Sequence, residues 1–267
     1  MAALKVLRRA LLQLLVLSLV ALAGVQFYFV ARIALMAVIA PESTAFERSE
    51  IYRITKTTGV LPWRQQWTPY AKISVNLQRA VIASEDASFT EHDGLDLEAL
   101  EKAWEKNAVA ERRAQKIAEQ QAAQAARQGK KPAPAVAQSP AAKPVKIVGG
   151  STITQQLAKN LFLSGERTLL RKGEELVLTL LLETLLDKQR ILEIYLNSVE
   201  WGEGVFGAEA AAQHYFRKPA ARLSPYEAAR LAVMLPRPRY FETRPNSDYL
   251  ATRANAIVAR MGSVDLP

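Results

Sequence analysis

Glu85-Asp86-Ala87-Ser88-Phe89-Thr90-Glu91-His92-Asp93-Gly94 is the stretch around which the rest of the chain is read. Upstream of it, Leu77, Val81 and Glu85 lie four residues apart, so they stack on one helical face and Glu85 continues an apolar stripe. A carboxylate in that position is partly dehydrated, which raises its pKa toward the range where a general base works. A Glu-Asp pair that merely ends a surface helix near a turn has the same local sequence, so the neighbouring blocks must decide between the two readings.

Immediately before the stretch, Ser74 is a plausible N-cap for the helix that carries Glu85; after it, a second helical pattern starts near Asp96 and runs through Leu97, Leu100 and Trp104. Further upstream, residues 42–73 mix polar residues with Pro62, Trp63, Trp67 and Pro69, have poor periodicity and read as a connecting segment. Downstream, residues 106–146 turn to Ala, Gln, Lys and Pro. The first half of that insert can be a solvated helix, whereas its Pro-rich half cannot pack a core and is expected to be flexible.

The formal charge of +9 raises the question of nucleic acid, and its distribution answers it. Residues 102–146 hold ten Lys/Arg against three Asp/Glu, and Lys5, Arg8, Arg9 and Arg32 add four more positive charges near the N-terminus. The remainder is close to neutral, so the basicity belongs to an insert and a membrane flank, and no nucleic acid is expected. There is no Cys and there are two His, which excludes a disulfide framework and a thiolate zinc centre; a metal would sit on carboxylates.

Residues 10–31 contain no charged side chain, enough for a helix rising about 1.5 Å per residue to cross about 30 Å of hydrocarbon. Lys5, Arg8 and Arg9 precede the run, which places the N-terminus in the cytoplasm and the long C-terminal part outside it. Ala21-Leu22-Ala23 before Gly24 looks like a signal-peptide cleavage site, but the apolar run continues through Val30, which favours an uncleaved anchor.

Order returns at Gly149-Gly150-Ser151-Thr152-Ile153-Thr154-Gln155-Gln156-Leu157-Ala158-Lys159-Asn160. Thr152 with Gln155 fits a capping box, and the N–H groups of such a helix start make a ready anion site. Thr152, Gln156 and Lys159 would share a face there, and no Gly-Lys-Ser/Thr follows, so this is not a nucleotide P-loop. Arg171-Lys172-Gly173-Glu174-Glu175 then opens a strongly apolar helix over 176–186, in which Glu175, Thr179 and Glu183 form one polar line on an otherwise buried rod, with Arg171 a turn earlier. Buried carboxylates need partners, and an Arg171–Glu175 ion pair is the structural reading set beside a functional one. Further helices are expected over 188–197, 208–216, 224–235 (capped by Ser224, with Pro225 at its first position) and 247–261; no convincing β-hairpin signal is present.

Taken together, Glu-Asp-x-x-Phe-x-x-His-x-Gly at 85–94, Gly-Gly-Ser-Thr-Ile-Thr-Gln-Gln at 149–156 and Arg-Lys-x-x-Glu at 171–175 resemble the family-51 peptidoglycan glycosyltransferases, in that family's order. The Ile191-Leu192-Glu193-Ile194-Tyr195-Leu196-Asn197 and Arg230-Leu231-Ala232 segments match its later motifs, and the likeness covers about 73–238. It implies a mainly α, lysozyme-like glycosyltransferase domain over 41–267, interrupted by the insert at about 106–146 and preceded by one N-terminal transmembrane helix within 1–40. The insert is a departure from the family, where the link is much shorter. No serine has Lys three residues later, so the likeness is to the monofunctional form without a transpeptidase.

The resemblance implies polymerisation of lipid II with inversion at an inner membrane, the catalytic domain being periplasmic. Glu85 matches the catalytic base and Glu175 a second catalytic carboxylate, on the leaving-group side; Asp86, Phe89 and His92 match the supporting motif. Ser151, Thr152, Gln156, Lys159 and Asn160 fall in the cleft block near the diphosphate-sugar, and Arg171 and Lys172 on the leaving-group side. The one cofactor it admits is a divalent cation, magnesium or manganese, at the diphosphate. The implied partners are lipid II and the growing glycan strand, the membrane, and other cell-wall synthesis or division proteins. A lysozyme-like hydrolase of the same fold is the alternative; it needs two carboxylates about a sugar bond but no diphosphate clamp, so Lys159, Arg171 and Lys172 argue against it. A catalytically silent wall-binding protein is disfavoured by the presence of both Glu85 and Glu175.

Overall fold

The computed structural model describes residues 2–127, 150–163 and 168–267. They form two compact units, one from Met1–Gly94 with Thr152–Pro267 and the other from Leu95–Ser151.

The first unit begins with α1 (Ala2–Met36), among the described residues the one helix long and apolar enough to cross a membrane. It runs unbroken through Ala21-Leu22-Ala23, and its last turns belong to the folded core: Ile33 and Met36 are buried. Phe29 meets Phe162 edge-on with centroids 5.4 Å apart, and Arg190 Nε donates to the Met36 carbonyl at 2.7 Å. Next comes α2 (Ala45–Thr58), where the sequence suggested only a connecting segment. Apolar periodicity is weak in it, but its ends are well marked. Thr44 and Glu47 form a reciprocal capping box, and Gly59 closes the helix in the left-handed conformation at φ +69°. Ion pairs join buried Ile54 and the Phe46–Phe206 ring contact in holding α2 in place. Glu50 accepts from Arg53 Nε at 2.7 Å and pairs with Arg239 at 2.5 Å, while Arg239 binds both oxygens of buried Glu200 at 3.1 and 3.0 Å.

Strand β1 (Arg64–Gln65) leads to α3 (Val75–Glu85), capped by Ser74 as expected. In the second unit, α4 (Leu97–Arg127) starts where Asp96 Oδ1 accepts from the Ala99 N–H at 2.7 Å. The early part of the Ala/Gln/Lys insert is therefore helical; its Pro-rich part and Gly149 lie outside the described residues.

Back in the first unit follow α5 (Ile153–Phe162), α6 (Leu169–Leu185) and α7 (Lys188–Ser198), then β2 (Glu200–Gly202) and β3 (Val205–Phe206), and finally α8 (Ala208–Phe216), α9 (Pro225–Met234), α10 (Pro238–Glu242) and α11 (Asp248–Val258). Helix α3 packs against α9 and α11, and α5 against α6 and α7. The caps read from sequence are in place: Ser224 with Pro225 opens α9, and Ser247 opens α11. One expectation is corrected, because α6 is not buried around its circumference. Leu178 and Leu182 face the core, but Leu170, Leu176, Val177 and Leu180 are exposed, since α1 and α5 cover only part of the helix.

The small sheet, ordered β1-β3-β2, is a second correction. Strand β3 pairs parallel to β1 and antiparallel to β2, with a bulge between Glu200 and Gly202. Strands of two or three residues leave no alternation to read, and the turn between β2 and β3 depends on Gly204 at φ +73°. A Cβ on Gly204 would lie 2.3 Å from the Pro62 carbonyl oxygen, so left-handed strain and a backbone clash coincide. Gly204→Ala is expected to lower stability by about 2 kcal/mol or more, measurable as a reduced midpoint in chemical denaturation.

Candidate active site

Glu85 is the last residue of α3 and is half-buried, on the face that Leu77 and Val81 carry into the core. Its Oε2 accepts from Gln156 Nε2 at 3.2 Å and its Oε1 from Ser84 Oγ at 3.3 Å. Burial raises its pKa above the usual carboxylate range; the two donors pull it back, and the charge of neighbouring Asp86 raises it further. The result is a carboxylate with few donors around it, which suits proton abstraction.

Asp86 leaves the helix and turns the other way. Its Oδ2 accepts from the Ile153 N–H at 2.9 Å and its Oδ1 meets His92 Nε2 at 2.9 Å. The Gly94 N–H donates to His92 Nδ1 at 3.1 Å, which makes Nδ1 an acceptor and assigns the ring proton to Nε2, facing Asp86. The helix start that the sequence offered as an anion site is thus supplied with an anion by the chain itself: Asp86 takes the first free N–H of α5. Thr152 completes this cap. Its hydroxyl accepts from the Gln155 N–H and donates to the Gly94 carbonyl at 2.7 Å, and the residue is buried.

The loop between Glu85 and Gly94 is held from the other side by Lys188 and Glu183. Lys188 Nζ donates to the His92 carbonyl at 2.5 Å and to Glu183 Oε1 at 2.9 Å, and lies 4.7 Å from the centre of the buried Phe89 ring. Glu183 Oε1 also accepts from Thr154 Oγ1 at 2.6 Å. Gly94, at φ +81°, lets the loop pass close to α6: a Cβ there would lie 2.7 Å from Thr179 Cγ2 and 2.9 Å from Glu183 Cγ.

Glu85, Asp86, Phe89, His92, Thr152 and Gln156 are therefore brought into one hydrogen-bonded and packed constellation. On the same α5, Lys159 is exposed and Asn160 half-buried; Ser151, exposed, is the last residue of the second unit. On α6, buried Glu175 pairs with Lys172, three residues earlier, rather than with Arg171 as the sequence suggested; both spacings bring side chains together on a helix. Arg171 keeps Nε and Nη1 buried with no hydrogen-bond acceptor among the described residues. No hydrogen bond or ion pair among the described residues joins this cationic group to Glu85. It sits about three turns, roughly 17 Å, along α6 from Glu183, which does reach the loop.

Three contributors escaped the sequence reading as site residues. Glu183 carried a signal, a carboxylate on a largely apolar helix that required partners. Lys188 read only as a helix start, and Tyr195 only as part of a segment matching a later motif of the family, with no role of its own. Tyr195 is fully buried and its hydroxyl donates to Gln156 Oε1 at 2.9 Å.

Fold and site together define a mainly helical protein with a half-buried, hydrogen-bonded carboxylate at the end of α3 and a long apolar helix docked to its domain. The transglycosylase family model matches residues 53–134 and 129–262, meeting in the insert, and the chain belongs to that family. It is 51% identical over 242 residues to the biosynthetic peptidoglycan transglycosylase of Burkholderia thailandensis, covering 91% of this chain and 82% of that protein. The protein of the same description from Herminiimonas arsenicoxydans is 46% identical over 263 residues, 98% of this chain and all of the relative.

Proposed function

We propose that this enzyme polymerises peptidoglycan glycan strands from lipid II at the outer face of an inner membrane. Glu85 removes the proton from the 4-hydroxyl of the acceptor GlcNAc; that oxygen attacks C1 of the donor MurNAc with inversion, and the bond to undecaprenyl diphosphate breaks. The new glycosidic bond replaces the sugar–phosphate bond, and Glu85 returns its proton to solvent. Lys159, Arg171 and Lys172 meet the negative charge of the departing diphosphate. Glu175 orients Lys172. A divalent ion, magnesium or manganese, would be held here by Glu175 and would add to the neutralisation of charge on the diphosphate.

The observation that carries this reading is the half-buried, raised Glu85 carboxylate held by Gln156 at the end of an apolar helical face. A lipid-borne substrate is supported by the exposed Leu170, Leu176, Val177 and Leu180 on α6, the helix against which α1 packs. With Lys5, Arg8 and Arg9 ahead of the apolar run, α1 crosses once, N-terminus inward. Protease added to intact spheroplasts should then digest the folded domain; protection until the membrane is lysed would reverse the topology. The activity itself is tested by supplying lipid II to the full-length protein in detergent. Lengthening strands with release of undecaprenyl diphosphate, and no peptide cross-links, is the expected result. Cleavage of preformed glycan without polymerisation would establish the hydrolase alternative.

A further inference from the structure

We propose that Tyr195 is a positioning residue for the transfer reaction, acting on Glu85 through Gln156 by fixing which end of the Gln156 amide faces the base. This rests on the reading of Glu85 as the general base. Gln156 lies between two groups with opposite demands. On one side, Glu85 Oε2 at 3.2 Å accepts a hydrogen bond when ionised; on the other, the Tyr195 hydroxyl at 2.9 Å donates one. Tyr195 is fully buried, and among the described residues Gln156 Oε1 is the acceptor of its hydroxyl proton. A phenol so enclosed must donate there or leave its proton unsatisfied. Burial, and then the charges of Glu85 and Asp86, hold the phenol's pKa well above its usual value, so it remains a donor throughout the working pH range. With the amide reversed, Gln156 Oε1 would confront Glu85 Oε2, two acceptors at hydrogen-bond distance, an arrangement that only a protonated Glu85 could accept. The hydroxyl of Tyr195 thus selects the amide orientation that supports the ionised base.

Asp86 beside it and Tyr195 from α7 are the titratable groups coupled to Glu85. The buried residues of α9, which packs on α3, are Ala228, Ala229, Leu231, Ala232, Val233 and Met234, and those of α11 are likewise apolar. The test is the pH dependence of kcat and KM for lipid II with full-length Tyr195→Phe, Gln156→Leu and the double variant. Either single change should depress kcat by roughly tenfold at the acid end of the profile, the scale of one hydrogen bond to a charged group, with the deficit shrinking as pH rises, and Tyr195→Phe should leave KM unchanged. The double variant should be no worse than Gln156→Leu alone, because Tyr195 acts only through the amide. A deficit equal at all pH values, or additive effects in the double variant, would overturn the proposal. If Tyr195→Phe does not fold, as judged by thermal unfolding, the acid limb of Gln156→Leu decides, and an unmoved limb rejects it. Wild-type turnover in Glu85→Gln would instead remove the base reading on which the proposal rests.

Discussion

Glu85→Gln is expected to lower the turnover of lipid II polymerisation by roughly 10²–10⁴-fold while leaving lipid II affinity unchanged, because it preserves shape and removes only basicity. The loss should not be a folding defect. Burial raises the folded-state pKa of Glu85, so its ionised form opposes folding; that cost is absent below the unfolded pKa, grows as pH rises, and is complete above the folded pKa. The neutral amide escapes it, and the variant should unfold at the wild-type temperature or above it near neutral pH. Turnover within a few-fold of wild type would show that Glu85 is not the base and make Glu175 the next candidate.

Asp86→Ala should have the largest effect on stability. Asp86 is buried and accepts from both His92 Nε2 and the first N–H of α5, so its removal leaves two donors without an acceptor. At about 1–3 kcal/mol for each unsatisfied donor, with loss of a carboxylate at a helix N-terminus besides, the expected cost is about 2–7 kcal/mol. Activity should fall in parallel, since the loop that carries Phe89 and His92 loses the carboxylate that ties it to α5. Chemical denaturation of the full-length protein measures this, and an unchanged midpoint would show that His92 and α5 are held some other way.

The parts of the fold that were legible in the sequence were those with apolar period or cap chemistry. Helix α3 with Ser74 and Glu85, α9 with Ser224 and Pro225, and the long α1 all followed from local pattern. Helix α2 was missed because its apolar periodicity is weak, with Ile54 its buried apolar residue, and because its capping box lies in a polar, proline-flanked region. The sheet was missed because its strands are too short for alternation and β1 and β3 are far apart in sequence. At the site, Glu85 was legible from its helical face. Its partners were not: nothing local indicates that Asp86 caps a helix 67 residues away or that Tyr195 orients Gln156. Sequence identifies the groups, and tertiary packing decides which hydrogen bonds they make. The anion site expected at Thr152 was a sound reading of a helix start, but the anion is supplied by the chain itself.

The most direct test of the account is the pH dependence of the single-turnover rate of lipid II polymerisation, in the wild type and in Glu85→Gln. The wild-type rate should climb along an acid limb set above the usual carboxylate range, as a dehydrated base requires. In Glu85→Gln that limb should be gone, leaving a low rate that does not vary with acidity. An acid limb that persists unchanged in the variant would mean that another group takes the proton, and would contradict the assignment of Glu85 as the base.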